Sequence, residues 1–412
     1  MARRWYALFI IFISFLQFTI NWFNVVPCFG DIIQGLHVTL PEIGTIVSMF
    51  LLGYGLTHIP GGWLNEQIGI HRAMLCGIAL ETLGTVATGM APNLATLLVA
   101  RLVCGVGGAI YIGSAIGITT AWFRRHELVT ATGLVTGVAF TVGAAIGIFP
   151  WHHLVNAYGW RVSQYIGAGI GALTFLMILV AFPVAPAIAE QVEEGHHLGK
   201  ESIKRVFGNF NLWLIGFANL GAYGAYFTVV ELLPSYAQQH LALQPGGAAL
   251  LGTLVLLCGI PGSFIGGWLA DKLIGAVFTF LGACVGVGIL VALIPFAGPD
   301  ALQWIAALIG AIAILGTVGW LALPGLYVND LKLSDIPTAA GLILSIAAIG
   351  GVIIPPFYGH IAVKYGYQAA WDGIALVVLL TVCAGIFIQS PRVRGKLWQQ
   401  KTGSQRTAPF RK

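Results

Sequence analysis

The sequence predicts an all-α membrane protein: twelve transmembrane helices arranged as two parallel-repeat six-helix bundles. Three observations carry this. Charged residues make up only 8% of 412, hydrophobic residues 58%, and the mean hydropathy is +0.87. A soluble protein carries about 25% charged residues, so this surface must be solvated largely by lipid. Second, twelve apolar runs are long enough to cross a hydrocarbon core, which takes about 20 residues. Third, the chain repeats itself at an offset of 204–207 residues.

The runs follow in order. Span one (5–29) follows Arg3 and Arg4 and is too long for the apolar region of a signal peptide, so it is expected to remain as a helix. Span two (42–64) closes on Gly61-Gly62-Trp63-Leu64. Spans three (73–91) and four (94–122) are parted only by Ala91-Pro92-Asn93, a turn signal. Span five (129–150) holds Gly137, Gly143 and Gly147, and span six covers 162–185. After the polar stretch 186–210 come spans seven (211–239), eight (247–270), nine (274–297), ten (302–327), eleven (338–362) and twelve (369–390). The expected organisation is therefore an N-terminal bundle (1–185), an interdomain loop (186–210), a C-terminal bundle (211–390) and a basic tail (391–412). Glu193, Glu194, His196 and His197 in the loop read as a solvated segment rather than metal ligands. The six cysteines lie in apolar runs without a CxxC and read as free core thiols.

An even number of spans puts both termini on one side, and that side carries seventeen of the twenty Lys and Arg residues. Arg161 and Lys364 alone lie opposite, with Arg101 inside span four. The excess predicts cytoplasmic termini. A net charge of +5 without a concentrated basic face excludes a nucleic-acid partner.

The repeat is seen at three places. Gly61-Gly62-Trp63-Leu64 recurs as Gly266-Gly267-Trp268-Leu269, each followed two residues on by an acid, Glu66 or Asp271. Phe23-Asn24-Val25-Val26 matches Phe227-Thr228-Val229-Val230, and Tyr158-Gly159 matches Tyr365-Gly366. Three matches at a nearly constant offset indicate duplication. Six spans per copy make the repeat parallel, a plan that places a cleft between the halves.

The segment Gly62-Trp63-Leu64-Asn65-Glu66-Gln67-Ile68-Gly69-Ile70-His71-Arg72 resembles the signature loop of the major facilitator superfamily, with Glu66 and Gln67 in place of its Asp and Arg. Gly267-Trp268-Leu269-Ala270-Asp271-Lys272 is a second copy in which Gly275 arrives one residue late. Arg101 through Gly108, with Gly105 and Gly107, is similar to the family's span-four motif, and Tyr158-Gly159-Trp160-Arg161 to its junction between helices five and six. The Gly-Pro pair common in helix five of the family's antiporters is absent. The resemblance implies that helices 1, 4, 7 and 10, with 2, 5, 8 and 11, line a cavity. Helices 3, 6, 9 and 12 then face lipid, and the halves rock in alternating access. It also implies gating roles for Gly62, Glu66, Gly69, Arg72 and Asp271, with Glu66 latching the side of the termini.

Ionisable residues in lipid cost roughly 2.5–3.5 kcal/mol each, so each needs a reason. Arg101 is the cation within a span and is expected to contact an anionic or zwitterionic substrate. Glu231 in span seven is the first candidate for proton coupling, since burial and a neighbouring arginine act oppositely on a carboxyl. Asp31 is the second, and Glu81 in span three reads as a structural partner. Arg101 lies about seven residues, roughly 10 Å, from the outer end of its span, and Glu231 about eight residues, roughly 12 Å. Gln17, Asn21 and Asn24 share one face of span one, and Asn219, Tyr223 and Tyr226 one face of span seven. Both faces, with Trp320, are candidate substrate contacts. His58 and His360 read as packed residues.

The expected function is a secondary active transporter of a small organic solute, coupled to protons by symport, in a bacterial inner (plasma) membrane. A proton-coupled drug or metabolite efflux antiporter is the alternative. A membrane-embedded enzyme would need a nucleophile or metal cluster at one depth, and no such set is present in the sequence. No nucleotide-binding loop is present either. No cofactor is expected, and the partners are a small-molecule substrate, protons and membrane lipid around a functional monomer.

Overall fold

The computed structural model describes residues 2–123, 131, 133–183, 200–327, 331 and 335–389. Among these, eleven continuous helices are long and apolar enough to cross a membrane. They are α1 (Arg3–Leu36), α2 (Leu40–Ile68), α3 (Ile70–Met90), α4 (Leu94–Trp122), the long helix Gly133–Ala181, α7 (Phe210–His240), α8 (Pro245–Trp268), α9 (Ala276–Phe296), α10 (Pro299–Leu326), α11 (Ile336–Tyr365) and α12 (Tyr367–Phe387). The helix Gly133–Ala181 has 49 residues, and Gly159 within it is non-helical, with φ 77° and ψ 164°. At 1.5 Å per residue it would run about 74 Å, more than twice the bilayer core. It therefore crosses twice, as α5 (133–158) and α6 (160–181), giving twelve passes.

Local signals set the helix ends. Thr39 and Glu42 form a capping box at the start of α2, where the Thr39 N–H donates to Glu42 Oε2 at 2.6 Å. The Asn93 side chain accepts from the Thr96 N–H at 3.0 Å and starts α4 after the Pro92 turn. Arg161 donates to the carbonyls of Gly89 and Ala91 at the end of α3, at 3.0 and 2.7 Å. The first helix runs past the expected residue 29, because a 3-10 turn at Val26–Cys28 leads into a further helix, Phe29–Leu36. Of the expected interdomain loop, 186–199 lies outside the described residues, and Lys200–Gly208 is a short helix. Arg205 on that helix grips Asp335, before α11, with two hydrogen bonds of 2.9 Å.

The duplication is visible in the backbone. Gly69, Gly159, Gly275 and Gly366 are the described glycines with positive φ, and they occupy the α2/α3, α5/α6, α8/α9 and α11/α12 junctions. Left-handed backbone there admits little but glycine. The late arrival of Gly275 has a structural counterpart. Leu269–Leu273 is a π-helical turn, closed by the Ile274 N–H donating to the Leu269 carbonyl at 3.0 Å. A π-turn holds one more residue than an α-turn. Close helix crossings repeat too. A Cβ on Gly143 would meet Leu16 of α1, and one on Gly350 would meet Leu220 of α7. Gly105 lies over Phe50 as Gly310 lies over Val255. Such small-residue contacts let membrane helices approach closely.

The bundles meet where α2 packs on α11 and α5 on α8. Gly359 lies against Pro41, Gly44 against Pro355 and Gly55 against Ala348. Gly252 lies against Ile148 across the other pair. These contacts run from the end of the bundles remote from the termini to about their middle. Exposed Leu83 on α3, Leu173 and Leu176 on α6, Ile289 on α9 and Leu380 on α12 give those helices apolar outer faces suited to lipid.

Candidate functional site

Arg101 is 1% exposed, deep between α4 and α1. Its guanidinium donates to the Trp22 carbonyl at 2.8 Å and the Asn21 carbonyl at 3.4 Å, and stacks over the Phe50 ring at 4.9 Å. These carbonyls are available because the first α-helix ends at Phe23, leaving its last carbonyls without helical donors. Arg101 Nε has no partner. Two carboxyls lie within electrostatic reach of this cation, Glu81 of the same bundle and Glu231 of the other. Both are fully buried. Gln17 Nε2 donates to Glu81 Oε2 at 3.0 Å, leaving Oε1 without a partner. Neither oxygen of Glu231 has a hydrogen-bond partner. The Trp22 indole N–H is its polar neighbour across the interface, but the geometry does not complete a hydrogen bond. One guanidinium thus faces two acids, one from each bundle.

In front of the cluster is a cavity of about 220 Å³ between the bundles. Its wall includes Phe15, Trp22, Tyr54, Phe140, Tyr223 and Phe227. Trp22 separates the cavity from the charges. Its ring lines the cavity and stacks on Phe227 of the other bundle, with centroids 5.3 Å apart and planes 6° apart. Its other neighbours are Phe50 at 4.4 Å and Tyr54 at 5.0 Å. A larger, shallow depression of about 320 Å³ beside Arg205 and Phe210 contains none of these groups.

The residues singled out from the sequence fall into four places. Arg101, Glu231 and Gln17 join the charge cluster. Asn219, Tyr223 and Tyr226 line the cavity, where Asn219 Nδ2 is buried without a partner. Asn21 and Asn24 do share a face, but it turns to α6: Asn21 donates to the Gly167 carbonyl at 3.2 Å and Asn24 donates to Asn21. Trp320 is buried in α10 away from the cavity wall, and Asp31 is exposed on the helix Phe29–Leu36. At the far end from this site, Gly62 lies within α2, Gly69 ends it, and Arg72 is exposed. The side chains of Glu66 and Asp271 lie outside the described residues. Glu81 and Trp22 are the members that the sequence reading did not place in the site. Glu81 carried a signal, an ionisable residue in lipid, whereas a tryptophan in a membrane helix carries none.

Comparison with known proteins bears on the whole chain. The profile of the Major Facilitator Superfamily matches residues 7–329. The D-galactonate transporter of Escherichia coli O6:H1 is 24% identical over 415 residues, covering 94% of this chain and 95% of that protein. A probable sulfoacetate transporter of Cupriavidus necator is 25% identical, covering 81% of each chain. The chloroplastic ascorbate transporter of Arabidopsis thaliana is 24% identical, covering 94% of this chain and 74% of its own length. Among solved structures, a bacterial homologue of the human lysosomal transporter Spinster, in an inward-facing and occupied conformation, superposes with a TM-score of 0.75 at 18% identity. That match covers 94% of this chain and 97% of the other.

Proposed function

The chain belongs to the major facilitator superfamily and is a multi-pass membrane transporter of small molecules rather than an enzyme, and on that premise we propose that it moves a small organic anion together with protons by alternating access. The observation that carries this reading is the pairing of one buried cation, Arg101, with two buried carboxyls drawn from opposite bundles. A net charge buried in a low-dielectric interior costs several kcal/mol. One guanidinium with two acids is neutral when the cluster holds one proton. When an anionic substrate reaches Arg101, neutrality requires a second. The expected stoichiometry is therefore one proton per monoanion, in symport. Relatives named for galactonate, sulfoacetate and ascorbate support an anionic cargo.

Rocking supplies access. Trp22 and Phe227 belong to α1 and α7, so separation of the bundles on their side parts the two rings and uncovers Arg101. Gly62, Glu66, Gly69, Arg72 and Asp271 belong to the opposite, cytoplasmic end in this reading, where Glu66 latches the closed state. Both termini face the cytoplasm of a bacterial inner membrane, and a reporter fused after Lys412 is expected to be active only there.

The test is uptake of a panel of organic anions into proteoliposomes. A pH gradient, acid outside, is expected to drive accumulation, while a potassium-diffusion potential alone drives none. Accumulation driven by the potential and indifferent to pH would exclude the one-to-one mechanism. A second reading, a proton-coupled efflux antiporter, is favoured by the uncharged aromatic cavity wall; it predicts the opposite pH-gradient polarity.

A further inference from the structure

The cavity and the charge cluster behind it differ in chemistry. Among the described residues that line the cavity, none is charged, and its opposite walls are the aromatic rings of α1, α2 and α5 on one side and of α7 and α9 on the other, where Phe280 brings to the cavity a helix expected to face only lipid. Trp22 and Phe227 are stacked on each other, so their facing surfaces become free only when the two part, while Tyr223 and Tyr226 stand at 55° and 85° to Phe227. Amide groups are scarce. Asn219 is the one carboxamide on this wall, 6% exposed, and its Nδ2 has no hydrogen-bond partner. The Thr317 hydroxyl is turned back to the Ala313 carbonyl at 3.0 Å. A wall of this kind satisfies a flat apolar body with one acceptor near Asn219. The hydroxyl-bearing residues Tyr54, Thr136, Tyr223 and Tyr226 also line the cavity, enough for one or two polar substituents on a ring. A solute with a hydroxyl on every carbon would press most of them against ring faces and aliphatic side chains, and buried unpaired polar groups are unfavourable.

Size agrees. An apolar cavity of about 150 Å³ holds a benzene ring. The cavity here, about 220 Å³, has space for a ring and one small substituent.

We propose that the solute carried by this protein is an aryl monocarboxylate, its ring held between the aromatic walls of the two bundles, its ring substituent at Asn219, and its carboxylate meeting Arg101 as Trp22 and Phe227 part. The inference rests on the anion-transport reading above and narrows it. Aromatic rings prefer offset-stacked and edge-to-face partners; once Trp22 and Phe227 part, the Phe227 face and the tilted Tyr223 and Tyr226 rings provide both. The selectivity is expected to separate this chain from the relative named for galactonate, whose cargo is polyhydroxylated.

The experiment is calorimetric titration of the full-length protein in detergent with three probes: benzoate, galactonate and the neutral isostere benzamide. Benzoate is expected to bind at least roughly 100-fold more tightly than galactonate, the scale on which an apolar pocket rejects an added hydroxyl. Benzamide is expected to bind more weakly than benzoate, and Arg101→Ala to erase that difference. Phe227→Ala is expected to weaken benzoate roughly tenfold, the upper range for loss of one aromatic pair. Phe227→Leu keeps the bulk, removes the ring and carries the same expectation. Galactonate binding as tight as benzoate overturns the aryl inference and leaves anion transport standing. Benzamide binding as tight as benzoate overturns both.

Discussion

Arg101 shows how one side chain ties two bundles together. Its Nη2 donates to the Trp22 carbonyl at 2.8 Å, and its charge reaches acids on α3 and α7. Arg101→Ala leaves both acids without their cation, and truncating one partner of a buried charge pair costs about 2–5 kcal/mol. Anion uptake is expected to fall at least roughly 30-fold. Arg101→Lys keeps the charge but loses the fork and the stacking on Phe50, so it should rescue only part of the rate. Glu231→Gln should still bind and exchange substrate but lose accumulation driven by a pH gradient; accumulation equal to the parent's excludes Glu231 from coupling. Gln17→Leu removes the donor to Glu81 Oε2. The orphaned oxygen costs about 1–3 kcal/mol, read as a lower unfolding temperature. Arg101 and Glu231 were legible because ions are rare in lipid. Glu81 looked like a local structural partner because span three is a supporting helix. What Asn21 and Asn24 face was not legible: spacing places residues on one side of a helix without saying which neighbour that side meets.

The helices turn at the same two places in each half, and glycine makes those turns possible. Gly159 has φ 77° and Gly366 has φ 90°. With ψ of 164° at both, each substitution by alanine is expected to cost about 1–3 kcal/mol, the penalty of a positive-φ extended backbone that is essentially restricted to glycine. Gly282, in α9, provides the contrast. It is exposed, with open space where a Cβ would stand, so Gly282→Ala should be neutral or stabilise by up to about 1 kcal/mol. Thermal unfolding of the three variants in detergent checks both expectations, and equal shifts would remove the argument. The α2/α3 loop pattern and the Tyr-Gly pairs were legible because turn chemistry is local. The π-turn at Leu269–Leu273 was not, because an extra residue in a sequence does not say whether it enters a loop or a helix.

For the molecule as a whole, the α2–α11 and α5–α8 contacts are where the bundles must slide. Leu51 Cβ lies 3.6 Å from the position of a Cβ on Gly351, within the usual disulfide spacing of about 3.5–4.5 Å. Leu51→Cys with Gly351→Cys, in a background without the exposed thiols Cys76 and Cys383, should cross-link on oxidation. Transport should then stop, and a reductant should restore it. Full transport by the cross-linked protein would show that α2 and α11 do not part during the cycle.

The sequence by itself determined the solvent, the number of passes and the duplication. Each is written in composition, apolar run length or a repeated string, and the bilayer imposes those on every segment separately. The tertiary structure decided which polar groups meet. Glu81 and Glu231 stand 150 positions apart in the chain, yet both lie within reach of Arg101, because α3, α4 and α7 converge there. It also decided that Trp22, one of twelve tryptophans, divides the cavity from the charges. That role comes from stacking between helices of opposite bundles, which is a property of the assembled fold and has no counterpart in local sequence.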